Sequence, residues 1–145
     1  MSLSPLAEFA LQAFDAVVAA DVGFRDRPGQ RQMAEQVART FAEATLGKGD
    51  DDEAEPVRSI AVIQAGTGVG KSLAYCAPAI ALALARNTRV LISTATVALQ
   101  EQLVNKDLPA LAAQMPQPFR FALAKGRGRY VCKLKLNRVA GGPDD

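Results

Sequence analysis

The 145 residues suffice for one modest domain with its own core, and 49% of them are apolar, which argues for a folded chain. A formal charge of +2 gives no bulk attraction to nucleic acid or membrane. Histidine is absent, which excludes Ser–His–Asp and Cys–His catalysis and histidine-ligated metal, and the two distant cysteines, Cys76 and Cys132, close neither a four-thiolate site nor a disulfide framework.

The N-terminus has no basic leader, and Glu8 and Asp15 interrupt its apolar stretch, so it does not read as a secretory signal. The longest apolar run, Leu73 to Ala85, is too short for a membrane span and contains Pro78. A cytoplasmic protein without membrane contact is expected.

Residues 5–20 are rich in helix formers, and Leu6, Phe9, Phe14 and Val17 place an apolar face at helical spacing. This is read as a packing helix over an N-terminal segment 1–23. Arg27-Pro-Gly makes a turn, Pro28 sits near a helix start, and a helix is predicted over Gln30 to Ala44. Met33, Val37 and Phe41 share one face of it. Arg27 and Gln30 then lie at its N-terminal end, where a side chain reaches a ligand. A glutamine amide has the donor and the acceptor needed for the N6 and N7 edge of adenine. Residues 47–57, with Asp50 to Glu53 in a row, are read as a solvated connection, because clustered like charges repel and no calcium-loop spacing is present.

Residues 58–72 carry the chemistry. Ile60 to Ile63 reads as a buried strand, a glycine-rich loop follows, and Lys71 and Ser72 open an apolar helix. A phosphate chain must be wrapped by backbone N–H groups, and Gly66, Gly68 and Gly70 permit the dihedrals and close approach this demands. Lys71 reaches the β- and γ-phosphates, the Ser72 hydroxyl ligates Mg²⁺, and the helix N-terminus favours an anion. Ala65 stands where the strict pattern has glycine, a small departure that the loop accommodates.

A buried helix is predicted over 71–86, with Pro78 as a kink and Cys76 as a small core residue. Residues 88–93 read as a second strand and 97–112 as a helix with Leu99, Leu103 and Leu108, interrupted by Asn105-Lys106-Asp107 and bent or restarted at Pro109. Residues 119–124 read as a third strand. This alternation predicts an α/β fold, a parallel sheet flanked by helices, with ligands at the carboxyl ends of the strands. From Lys125 to Arg138 the chain has six basic residues, no acid and one aromatic, Tyr130. It fits both a nucleic-acid backbone site with base stacking and a solvated basic loop.

Four segments in this order resemble the N-terminal part of DinG-type ATP-dependent DNA helicases, the XPD-like iron–sulfur branch of superfamily 2. They are Arg27-Pro-Gly-Gln30, Ala65-Gly-Thr-Gly-Val-Gly-Lys71-Ser72, Ser93 to Leu103, and Gly126-Arg-Gly-Arg-Tyr-Val-Cys132. The resemblance covers residues 24–138, leaving 139–145 as an unstructured end. It implies a RecA-like P-loop NTPase fold, here an incomplete first motor domain. It implies that Arg27 and Gln30 form the adenine-reading Q motif. It implies that Ala65, Gly66, Thr67, Gly68, Val69, Gly70, Lys71 and Ser72 hold ATP and Mg²⁺, with Lys71 and Ser72 catalytic.

The resemblance further implies that Thr94, Thr96, Gln100 and Gln102, with Arg127, Arg129 and Tyr130, touch DNA, and that Cys132 is the first ligand of a 4Fe–4S iron–sulfur cluster. Read from the residues alone, Cys132 is a free thiol as readily as a ligand. The implied partner is single-stranded or forked DNA, unwound 5′ to 3′ by a monomer. The family's Walker B box and second motor domain have no counterpart in these 145 residues, so the chain is expected to be a helicase fragment without turnover of its own. A P-loop NTPase unrelated to DNA and a nucleotide- or DNA-binding remnant remain as alternatives.

Overall fold

The computed structural model describes residues 2–20, 27–45, 55–66 and 68–141. Thr67, Phe24 and most of the acidic connection fall outside the described residues. The elements are α1 (Pro5–Ala20), α2 (Pro28–Glu43), α3 (Lys71–Ala85), α4 (Val97–Gln102), a π-helical turn at Leu103–Asp107, α5 (Leu108–Gln114), a 3₁₀ turn at Arg127–Arg129 and α6 (Lys133–Val139).

Each start follows from local chemistry. Ser4 begins α1: its hydroxyl accepts from Ala7 N at 3.3 Å and its carbonyl from Glu8 N at 2.9 Å. Pro28 opens α2, where a missing N–H costs nothing. Gly70 opens α3 in the left-handed conformation at φ 80°. Thr96 caps α4, accepting from Leu99 N at 3.2 Å. The π-helical turn falls on the polar Asn105-Lys106-Asp107 interruption, immediately before Pro109, which has no N–H to offer the turn behind it.

The core is helical. Helices α1, α2 and α3 pack on one another, and the π-helical turn and α5 close the side with Leu103, Leu108 and Leu111. Phe14 and Val17 of α1 fill the middle, against fully buried Ala34 and Ala38 of α2 and Ala74, Ala77 and Ala81 of α3. These short side chains let the helix backbones approach closely. Asp15 and Arg31 join α1 to α2 through two bonds of 3.0 Å at the surface.

The expected parallel sheet is not there. Among the described residues no strand is formed. Residues 58–66, 88–94 and 119–124 run as extended chain without a ladder. Their period of two survives: Ile60, Val62 and Leu91 are 85%, 95% and 92% exposed, while Ala61, Ile63, Val90 and Ile92 between them are half-buried. A sheet requires neighbouring segments to exchange N–H···O=C bonds. Just before the first segment, the chain is instead linked to the residues following α2, where Thr45 N donates to Val57 O at 3.0 Å. The apolar α3 was expected to bury itself on a sheet and buries itself on α1 and α2. The C-terminal segment also differs from expectation, being helical to Val139 with every residue of α6 exposed.

The helical core carries stability while surface pairing carries little. Phe14→Ala lowers unfolding free energy by about 3–5 kcal/mol and Asp15→Asn by less than about 1 kcal/mol in urea titrations; the reverse ranking would be incompatible with a core centred on α1.

Candidate nucleotide site

The glycine-rich loop is shaped by bonds from three side chains. Lys71 folds back over it, and Nζ donates to Ala65 O at 3.0 Å and Gly66 O at 2.6 Å. Arg27 Nη1 donates to Gly68 O at 2.6 Å, and Gln30 Nε2 donates to Gly70 O at 2.8 Å. The two residues that sequence places at the N-terminal end of α2 therefore meet the loop directly, across about 40 positions of chain. The structure thus brings together Arg27, Gln30, Ala65, Gly66, Gly68, Gly70 and Lys71.

Gln30 is the most consequential of these. It is 2% exposed, and among the described residues its Oε1 has no hydrogen-bond partner. A buried acceptor without a donor is costly, so the site is built to receive one. Gln30 also occupies the space that a side chain at Gly70 would need: a Cβ there would overlap Nε2, and φ of 80° disfavours any L side chain. Gly68 shares the positive φ but faces open space, and a Cβ at Gly66 meets nothing within 4 Å.

The electrostatics follow from helix direction. Arg27 and Gln30 bring the N-terminus of α2 to the loop, and Lys71 begins α3 from the same loop. The two helices therefore run side by side with both positive dipole ends facing the phosphate cradle. Ser72 lies half-buried in the first turn of α3 beside Tyr75. Burial raises the Tyr75 phenol above its usual range, and a hydrogen bond with Ser72 pulls the other way. The three-residue spacing places Ser72 and Tyr75 on one face of α3.

The residues expected on DNA have other partners here. Thr96 is a helix cap, Thr94 Oγ1 donates to Thr96 O at 3.3 Å, and Gln102 Nε2 donates to Asp107 Oδ2 at 3.3 Å. Gln100 is half-buried on α4, and Val69 half-buried in the loop. Tyr130 is 55% exposed, and its hydroxyl accepts from Lys125 N at 2.8 Å, closing a short basic loop that displays Arg127 and Arg129 to solvent. The ring is available for stacking.

The two cysteines of the chain do not form an iron–sulfur site between them. Cys132 is exposed, whereas Cys76 is fully enclosed in α3. Burial, helped by the charge of Asp107, pushes the Cys76 thiol up to about 12 from 9.0, so it supplies no thiolate near neutrality. Among the described residues no group of three metal-ligating side chains comes together. No described helix is long and apolar enough to cross a membrane.

The family model for DEAD/DEAH box helicases matches residues 38–115. The chain is 44% identical over 122 residues to the ATP-dependent DNA helicase DinG of Photobacterium profundum, covering 84% of this chain and 16% of that protein. It is 41% identical over 133 residues to the ATP-dependent helicase DinG of Mycobacterium tuberculosis, covering 89% and 18%. It is 45% identical over 117 residues to the ATP-dependent DNA helicase DinG of Salmonella typhimurium, covering 81% and 15%. The chain therefore spans less than a fifth of the length of these curated relatives.

Two outcomes follow from this geometry. Gly70→Ala displaces Gln30 and costs about 1–2 kcal/mol from backbone conformation alone, while Gly66→Ala is tolerated, as thermal melts of both variants would show. Iodoacetamide labels Cys132 and spares Cys76 until the chain is unfolded, read by mass spectrometry. Because the Cys76 thiol ionises near 9.0 unfolded and about 12 folded, its contribution to stability is complete below pH 9 and is lost as pH rises from 9 to 12.

Proposed function

Since the chain belongs to the DEAD/DEAH box helicase family, we propose that it forms the nucleotide-binding N-terminal part of an ATP-dependent DNA helicase of the DinG type. The observation that carries this reading is the convergence of Lys71, Gln30 and Arg27 on one left-handed glycine loop at two helix N-termini. Such a site is suited to a polyphosphate attached to a base.

Lys71 exchanges the carbonyls of Ala65 and Gly66 for the β- and γ-phosphate oxygens. The N–H groups at the start of α3 point at the same anion. The Ser72 hydroxyl would hold the magnesium ion, which when bound neutralises phosphate charge. Gln30 Oε1 accepts from the exocyclic amine of adenine, and the second hydrogen of Nε2 remains for N7 while the first stays on Gly70 O. Guanine offers a carbonyl where adenine offers that amine, so the same acceptor repels it. This supports ATP over GTP as the bound nucleotide.

DNA contact is assigned to the segment around Thr94–Gln102 and to the basic loop of Arg127, Arg129 and Tyr130. The exposed guanidinium groups neutralise phosphates and the half-exposed ring stacks on a base. The partner is single-stranded or forked DNA. Cys132, exposed at the end of that loop, is the residue available as a cluster ligand; the other thiolates would have to come from outside these 145 residues.

Lys71→Ala in the intact helicase lowers ATP hydrolysis stimulated by single-stranded DNA by on the order of a hundredfold or more. Hydrolysis within a few-fold of the unsubstituted protein would remove Lys71 from the site and with it this assignment. Hydrolysis indifferent to single-stranded DNA would remove the DNA from the function.

A further inference from the structure

Helix α2 is fastened to the phosphate-loop unit at both ends. Its N-terminal end is held by Arg27 and Gln30, and its C-terminal end by Arg86, the residue that terminates α3. Arg86 Nη1 donates to Phe41 O and Nη2 to Ala42 O, each at 2.8 Å. These carbonyls belong to the last turn of α2, which has no intrahelical donors for them and carries the negative end of the dipole. A planar guanidinium fork on two successive carbonyls fixes both the position along the helix and the rotation about its axis.

The buried face between the two helices is mostly small, with Ala34, Val37 and Ala38 from α2 and Ala74, Ala77 and Ala81 beside Ile80 and Leu82 from α3. Short side chains offer few ridges to set rotation and register, so the polar grips at the two ends of α2 add to what packing fixes. Beyond Gly29, α2 contains neither glycine nor proline and transmits displacement as a rod. A slip of one residue moves Gln30 by about 1.5 Å and turns it by about 100°, off Gly70 and away from the base.

We propose that Arg86 is a positioning residue for the base-reading end of the nucleotide site, setting the register of α2 against α3 from about 22 Å away along the helix. The inference rests on the reading of Gln30 as the residue that recognises adenine. Lys71 and the N–H groups at the start of α3 belong to α3 itself, whereas Arg27 and Gln30 at the α2 end hold the loop carbonyls of Gly68 and Gly70. Loss of the clamp therefore weakens both nucleotides through the loop and ATP further through the base, which erodes the preference.

The test is equilibrium binding of MgATP and MgGTP to the full chain by calorimetry, for the unsubstituted protein and for Arg86→Gln, Gln30→Ala and Asp15→Asn. The expected result is that Arg86→Gln lowers the ATP-over-GTP preference about fivefold to tenfold, with ATP affinity falling more than GTP affinity. Asp15→Asn, which breaks a surface pair between α1 and α2, keeps the preference. If Arg86→Gln does not fold by circular dichroism, Arg86→Lys is measured in its place. One ammonium cannot span two carbonyls as the fork does, so the preference falls there too.

An unchanged preference in the Arg86 variant, with a lost one in Gln30→Ala, overturns the inference and leaves the reading of Gln30 standing. Equal loss of ATP and GTP affinity also overturns it, because Arg86 then serves only the fold. No nucleotide bound by the unsubstituted chain, or no preference in Gln30→Ala and unsubstituted chain alike, overturns the inference together with the reading beneath it.

Discussion

The shape of the phosphate loop depends on Gln30 lying against the bare Cα of Gly70. That contact needs a residue without a side chain in the left-handed region, a buried amide beside it, and a helix that delivers the amide there. Each requirement constrains a different part of the chain. Gly70 constrains the loop, Pro28 sets the start of α2, and the alanine-lined core sets how closely α2 approaches α3. The loop on its own is soft, since its glycines pay no steric penalty in many conformations. It acquires one conformation because side chains from another helix hold its carbonyls.

The same contact explains the charge layout. Two helices running in the same direction side by side place like dipole ends together, an arrangement unfavourable in isolation. Here the C-terminal end of α2 has a counter-charge and the N-terminal ends do not. Arg86 puts a cation on the exposed carbonyls at the C-terminal end of α2. At the other end the uncompensated positive potential, roughly half an elementary charge from each helix, is where a polyanion would lie. The repulsion between the N-termini is thus relieved by occupancy, which couples helix packing to nucleotide binding without any moving part.

Much of the site was legible in the sequence and less of the fold. The phosphate loop is a local pattern, and its glycines, Lys71 and Ser72 can be read because the chemistry of wrapping phosphate dictates residue types at fixed spacing. Arg27 and Gln30 were readable as a helix start aimed at a ligand, though not that both would fasten the loop itself. The helices were readable to within a residue or two at most ends, because apolar spacing and Pro28 mark them. The sheet was not. Ile60–Ile63 and Thr88–Ser93 have strand composition and keep a strand's alternation of exposure, but pairing is a relation between segments that composition does not record. Arg86 was also invisible, for a similar reason. An arginine after a helix has many roles, and only geometry shows Arg86 gripping a different helix.

Lys71 has a further consequence. Its ammonium donates to Ala65 O and Gly66 O, so the loop does not present a bare cation. A single weak anion gains little by displacing two carbonyls, since it exchanges one set of hydrogen bonds for another. A triphosphate offers several oxygens at once and also meets the two helix ends. On the proposed reading the cradle is self-masked, and it is opened by a ligand that engages all its parts together. Selectivity of this kind comes from what the lysine must leave, in addition to what it gains.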